Sequence, residues 1–309
     1  MRARSLLLFT FSLTPVTSWT LDSSCGSAHK QGDSHALIHR GMNQAIDMAQ
    51  SALTTLHALK ETTQHQGQLN LFSELFPPLV SHSHHHRPPQ VAHDQPIYRA
   101  MEALFGGIAA LRNPSADHAI PAIKVYCNFA RVHEDHVCNG PAAPGTACDT
   151  DLTKEFPISP VYTECRTGQS PSLPVLPAET FGYASPHHHE HTPIQICRGY
   201  LDRIKALPDR NFVDTTPRLL VMQPAAMDRW IFSHGPVRNT PAYFDLVLLR
   251  ELVALVQRET GPSPGNNSES APINISPDSL MHFALGSVLL QAEDHLLAKQ
   301  SHPKMTSLS

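Results

Sequence analysis

Glu251 stands in the run Leu248-Leu249-Arg250-Glu251-Leu252-Val253-Ala254. A glutamate with a histidine one residue before it and another three after it would read His-Glu-x-x-His. Two imidazoles four residues apart share one helical face and hold one metal ion, and the glutamate polarises the bound water. Here Arg250 and Ala254 take the two histidine places. Arginine is a fixed cation with no lone pair for a metal, and alanine offers no donor atom. Without an acidified, metal-bound water, Glu251 has no such nucleophile to activate. Read from these residues alone, the segment is an ordinary amphipathic helix.

A second group of candidate ligands is His187-His188-His189-Glu190-His191. In an extended chain His187, His189 and His191 alternate onto one face, with Glu190 on the other. Pro186 and Pro193 bracket the run and favour an exposed turn. These three histidines form the alternative metal site, with zinc as its ion. The run His82-Ser83-His84-His85-His86 reads instead as a solvated loop between helices. His234 and His282 are more distant candidates. No Gly-x-Ser-x-Gly elbow supports a serine nucleophile.

These residues need a scaffold. Leu37, Ile38, Met42, Ala45, Ile46, Ala49, Leu53 and Leu56 form an apolar stripe that predicts a helix over His35–Leu59. Further helices are expected over Gln95–Leu111, Arg198–Ala206, Tyr243–Val256 and from Pro277 or Asp278 to Leu297. Strands are expected at Pro121–Cys127 and Pro193–Cys197, with Leu219–Met222 as a strand or buried loop. The His/Pro-rich tract at about 76–94 reads as a loop insertion, and 261–271 as a Pro/Gly/Asn/Ser linker. Core-forming segments are spread along the chain, so the expectation is one α+β domain, helix-rich, with a small sheet. Few long apolar runs occur over Asn128–Thr180, which predicts that disulfides order it.

Residues 1–18 read as a signal peptide: a basic start, a short apolar core and small residues at the expected cleavage point. Residues 19–309 then form a secreted, extracellular domain. The six cysteines agree, being even in number and all beyond residue 18: Cys25, Cys127, Cys138, Cys148, Cys165 and Cys197. Six cysteines allow fifteen pairings in principle. Asn266 and Asn274 lie in glycosylation sequons. Lys and Arg total 23 against 27 Asp and Glu, with no sustained basic stripe, so nucleic acid is not an expected partner. No stretch is apolar for long enough to predict stable membrane insertion.

Several segments together resemble the secreted fungal metallopeptidases that include deuterolysin and the lysine-specific metallo-endopeptidases, the aspzincins. They are Trp19-Thr20-Leu21-Asp22-Ser23-Ser24-Cys25 with the helix after it; Ile194-Gln195-Ile196-Cys197 with its helix; Leu248-Leu249-Arg250-Glu251-Leu252; and Ser276-Pro277-Asp278-Ser279-Leu280-Met281-His282-Phe283-Ala284. The resemblance implies a zincin-like α+β fold and a zinc endopeptidase in which Glu251 holds the general-base position. It also implies a third, aspartate ligand downstream, and 261–271 contains no aspartate. The expected protein is therefore metallopeptidase-like but catalytically inactive, with no cofactor and a peptide or extracellular protein as partner. The alternatives are an active zinc endopeptidase with non-standard histidine ligands, or a purely structural extracellular protein.

Overall fold

The longest helix, α1 (Asp33–Glu61), forms because its apolar residues recur at helical spacing and include five alanines. Ile38, Met42, Ala45, Ala49, Ala52 and Leu56 are all fully buried. In this computed structural model the described residues are 19–26, 33–61, 66–77, 80–81, 90–91, 95–112, 122–134, 138, 144–169, 175–176, 191–207, 211, 243–260 and 275–301. Helices α2 (Gln66–Leu75), α3 (Pro96–Ala110), α4 (Pro160–Thr167), α5 (Arg198–Ala206), α6 (Phe244–Thr260) and α7 (Pro277–Ser301) complete the helical part.

Helix α1 packs on α3, α6 and α7, and α2 packs on α7. Where its side chains are described, α7 has no polar stripe. Leu280, Met281, Phe283, Ala284, Leu285, Ser287 and Leu289 are all buried, as expected of a helix enclosed by its neighbours. Phe283 sits against Phe72, Phe76 and Phe105, with ring centroids 5.8, 5.8 and 6.1 Å away. The first two are edge contacts, the geometry that aromatic quadrupoles favour. The Tyr98 hydroxyl donates to the Leu56 carbonyl and locks α3 to α1.

Nine strands accompany the helices among the described residues: β1 (Trp19–Leu21), β2 (Val80–Ser81), β3 (Gln90–Val91), β4 (Ala122–Tyr126), β5 (Val132–His133), β6 (Thr146–Asp149), β7 (Lys154–Pro157), β8 (Val175–Leu176) and β9 (His191–Ile196). One sheet has the order β1-β4-β9-β8; its first two pairings are parallel and its last is antiparallel. A second, antiparallel sheet has the order β5-β6-β7. A two-residue ladder joins β2 to β3.

Register and alternation divide the four-stranded sheet into unlike faces. Trp19, Ile123, Val125, Ile194 and Ile196 share one face and join the helical core. Lys124, Tyr126, His191 and Gln195 share the other.

The described residues thus form a helix-rich α+β fold with small sheets and three disulfides: Cys25–Cys127, Cys138–Cys148 and Cys165–Cys197. The five expected helices are present; Arg198–Ala206 has its expected bounds, and the others shift by a few residues at one or both ends. Other elements have no counterpart among the expected ones. Helix α2 precedes the His/Pro tract, and Phe76 and Val91 at the two ends of that tract are buried. Residues 128–180 contain the β5–β7 sheet, α4 and β8 in addition to disulfides. The Leu219–Met222 segment, the linker 261–271 and residues 1–18 lie outside the described residues.

Helices α4 and α5 meet through glycine. Gly168 ends α4 in a left-handed conformation at φ 74°, its N–H donating to the Glu164 carbonyl. A Cβ on Gly199 would lie 2.6 Å from the Gly168 carbonyl oxygen. Backbone cannot yield there as a side chain can, so Gly199→Ala is expected to cost about 1–3 kcal/mol. Gly106, inside α3, has open space where a Cβ would stand, with nothing within 4 Å. Gly106→Ala is therefore expected to stabilise by about 0.5–1 kcal/mol. Urea unfolding of the two variants beside the wild type checks this opposition of sign.

Candidate functional site

Two places bear on chemistry: the junction of α6 with α7, and the polar face of the four-stranded sheet. On α6, Glu251 is partly exposed and Ala254 is half-buried, while Leu252 and Val253 between them face the core. Arg250 is exposed and its Nε donates to Asp278 Oδ1 at 3.1 Å. Asp278 lies in the first turn of α7, where the helix dipole favours a carboxylate. Position 250, where a His-Glu-x-x-His helix would carry its first histidine, is therefore held by a cation engaged with the neighbouring helix. Both partners are about half exposed, so the pair adds little to stability.

His282 lies one turn beyond Asp278. Its Nε2 is buried without a hydrogen-bond partner. Burial pushes its pKa down, against the upward pull of Asp278. Among the described residues, no group of three or more His, Cys, Asp or Glu side chains is arranged to hold a metal ion. His187, His189 and His234 lie outside the described residues, as do the sequons at Asn266 and Asn274. Of the alternative histidine site only His191 is described, and it opens β9.

His191 belongs to a network that sequence reasoning missed. The Tyr126 hydroxyl donates to Asp151 Oδ2 at 2.9 Å and lies 2.8 Å from His191 Nε2. A phenol has one hydrogen to give. With that hydrogen directed at the carboxylate, the phenol oxygen accepts from His191, so Nε2 is the ring nitrogen that carries hydrogen in this contact. Lys124 donates to the same Asp151 oxygen at 2.9 Å and pairs with Asp22 at 3.3 Å.

Beneath this group lies a buried ion pair. Arg131 Nε donates to Asp149 Oδ2 at 2.8 Å, and its Nη1 to Gln195 Oε1 at 2.7 Å. The guanidinium carbon stands 3.5 Å from the centre of the Tyr126 ring, a cation–π contact. Asp149 Oδ1 accepts the N–H groups of Asp151 and Leu152 at 3.1 and 3.3 Å. That turn fixes where Asp151 sits. It includes Thr153 at φ 50°, a left-handed residue with no glycine to signal it.

Electrostatics follow from the placement. Burial pushes the Tyr126 phenol upward, and its bond to Asp151 adds to this, so it stays a neutral donor. Burial also raises Asp149, against Arg131 and the two N–H groups. Burial pulls Asp151 upward, but its bonds from Lys124 and Tyr126 hold it below its usual range. Asp22 is likewise lowered: burial opposes, but Ser24 and Lys124 prevail. His191 is lowered by burial and then by Lys124. The lysine lies between two carboxylates, and the tyrosine is engaged on both sides. This arrangement joins β4 and β9 to the β5–β7 sheet; it does not present an activated nucleophile.

No family model matches the chain, and neither a curated protein nor a solved structure matches it. Among the described residues, no helix is long and apolar enough to cross a membrane.

The lowered pKa values set the pH response. A histidine lowered from 6.5 binds fewer protons folded than unfolded, so its contribution is complete above 6.5 and is lost as pH falls. Asp22 and Asp151, lowered from 3.8, contribute in the same sense below that value. Urea midpoints should fall between about pH 7 and pH 5. His191→Gln, which keeps an N–H donor but does not titrate, should flatten this slope. Arg131 is 6% exposed and Asp149 0%, so Arg131→Met leaves a buried carboxylate unpaired and should cost about 3–5 kcal/mol by the same assay.

Proposed function

We propose that this chain is a secreted relative of the aspzincin metallopeptidases whose zinc site has been replaced, and that it binds a peptide or extracellular protein without cutting it. The observation that carries this reading is the Arg250–Asp278 pair. In the zincin arrangement implied by the sequence resemblance, position 250 supplies an imidazole to zinc. A guanidinium there repels a divalent ion, and its engagement with α7 gives the helix junction an electrostatic contact in place of a metal bridge. Glu251 remains at the general-base position on a helix of 17 residues. Ala254 supplies no second ligand.

Secretion is supported by the cysteines. All six are paired, and no free thiol remains. Complete pairing fits an oxidising compartment, where disulfides form and persist. The helix-rich α+β architecture is compatible with a zincin-like ancestor, and the long α6 beside α7 gives the relic helix a rigid setting.

The test is metal content and proteolysis on the disulfide-intact protein. After dialysis it should carry substoichiometric zinc by elemental mass spectrometry. It should leave a broad peptide library uncleaved, with Glu251→Gln indistinguishable from wild type. Chelator-sensitive cleavage abolished by Glu251→Gln would overturn the proposal. Arg250→His combined with Ala254→His should gain zinc affinity, since the two imidazoles then share one helical face, yet gain no peptidase activity because the third ligand is missing.

A further inference from the structure

The first turns of α1 carry His35 and His39, four residues apart on one face. Their rings are nearly parallel, 10° between planes, with centroids 6.2 Å apart. His35 is partly exposed and His39 exposed, so a hydrated ion can reach both. We propose that His35 and His39 form a binding site for a divalent first-row transition ion, with Cu(II) preferred. Neither residue belongs to the α6–α7 junction or to the polar sheet face, and the site is independent of the proposed loss of zinc proteolysis.

Spacing along the helix and support from neighbouring side chains favour such a site. Histidines at i and i+4 on a helix can converge on one metal ion. With metal–nitrogen bonds of about 2.0–2.1 Å at right angles, two imidazole centroids lie about 4.5 Å apart. The observed separation of 6.2 Å leaves under about 2 Å to close, which side-chain rotation at one exposed and one partly exposed position supplies on a fast timescale.

Two neighbours hold His39. Asn43, a further turn along α1, places its side-chain nitrogen 3.1 Å from His39 Nδ1. With the amide nitrogen donating to Nδ1, the ring hydrogen of His39 is on Nε2. Metal binding at Nε2 moves that hydrogen to Nδ1, and a half-turn of the Asn43 amide lets its oxygen accept it. Asn43 is then a positioning residue that fixes ring and tautomer, the usual role of a partner behind a metal-bound histidine. Trp19, buried at the start of β1, packs against the same ring at a centroid distance of 5.3 Å. Two imidazoles and open positions for water suit Cu(II) over Zn(II) in the order of intrinsic affinities.

Trp19 also provides the reporter. The chain has two tryptophans, so Trp230→Phe in the full, disulfide-intact chain leaves Trp19 alone. Paramagnetic Cu(II) at His39 should quench its fluorescence saturably at one equivalent. Zn(II) should compete without quenching, at higher concentration. His35→Ala should raise the Cu(II) midpoint about tenfold or more, and Asn43→Ala should raise it to a smaller extent. The pair His35→Gln with His39→Gln, which keeps helix-compatible side chains, should abolish saturation while circular dichroism stays unchanged. Replacing His84, His85, His86, His187, His188 and His189 with alanine should leave the midpoint where it was. Saturable quenching that survives the double glutamine variant, or that disappears with the tract histidines, would overturn the proposal.

Discussion

The two faces of strand β4 impose opposite demands, and the rest of the fold answers them. Ile123 and Val125 point into the helical core and are almost completely buried. Lys124 and Tyr126 point the other way and need polar partners, because a buried charge or hydroxyl left unpaired costs more than its burial returns. The β5–β7 sheet and the turn after β6 supply those partners in Asp149, Asp151 and Arg131. Without that second sheet, the polar face of β4 and β9 would have no internal counterpart.

The apolar side is organised differently. Helix α7 lies among α1, α2 and α6 with its apolar side chains from Leu280 to Leu289 largely buried, and Phe283 contacts rings from α2, from the residue after it and from α3. A single helix so enclosed makes the packing cooperative: moving it disturbs every neighbour. The Cys25–Cys127 bridge spans 102 residues and ties the start of this architecture to the end of β4. In the chain-entropy view such a bridge removes about 4.7 kcal/mol of freedom from the unfolded state, more than the short Cys138–Cys148 loop can.

At the α6–α7 junction an ion pair, Arg250 with Asp278, joins the two helices. A metal would draw neutral imidazoles and a carboxylate to a single point. An arginine instead draws Asp278 to itself at the helix surface and leaves Glu251 beside it on a different azimuth of α6. The polar sheet face, by contrast, consists of groups that satisfy one another. Its carboxylates lie against Lys124, Arg131, backbone N–H groups and the Tyr126 hydroxyl, so its charge is committed to joining the two sheets.

Long helices were legible because ten or more residues repeat a 3.6-residue pattern, and β4 and β9 because they are short β-branched runs between breakers. Helix α4 carried a readable signal that the apolar pattern did not bring out: Ser159 caps it through Tyr162 N–H, Pro160 opens it and Gly168 closes it. Strands of two to four residues, and a turn closed by Thr153 in place of glycine, offered no comparable pattern. The sequence by itself determined the helix-rich α+β class, the even set of cysteines, and the absence of ligand-capable side chains at positions 250 and 254. Only the tertiary structure decided which cysteines pair, that Arg250 meets Asp278, and that Tyr126, Asp151 and His191 form one network. The reason is physical: periodicity and side-chain chemistry are local properties of the chain, whereas these partners lie 10 to 102 residues apart, and packing alone sets their distances.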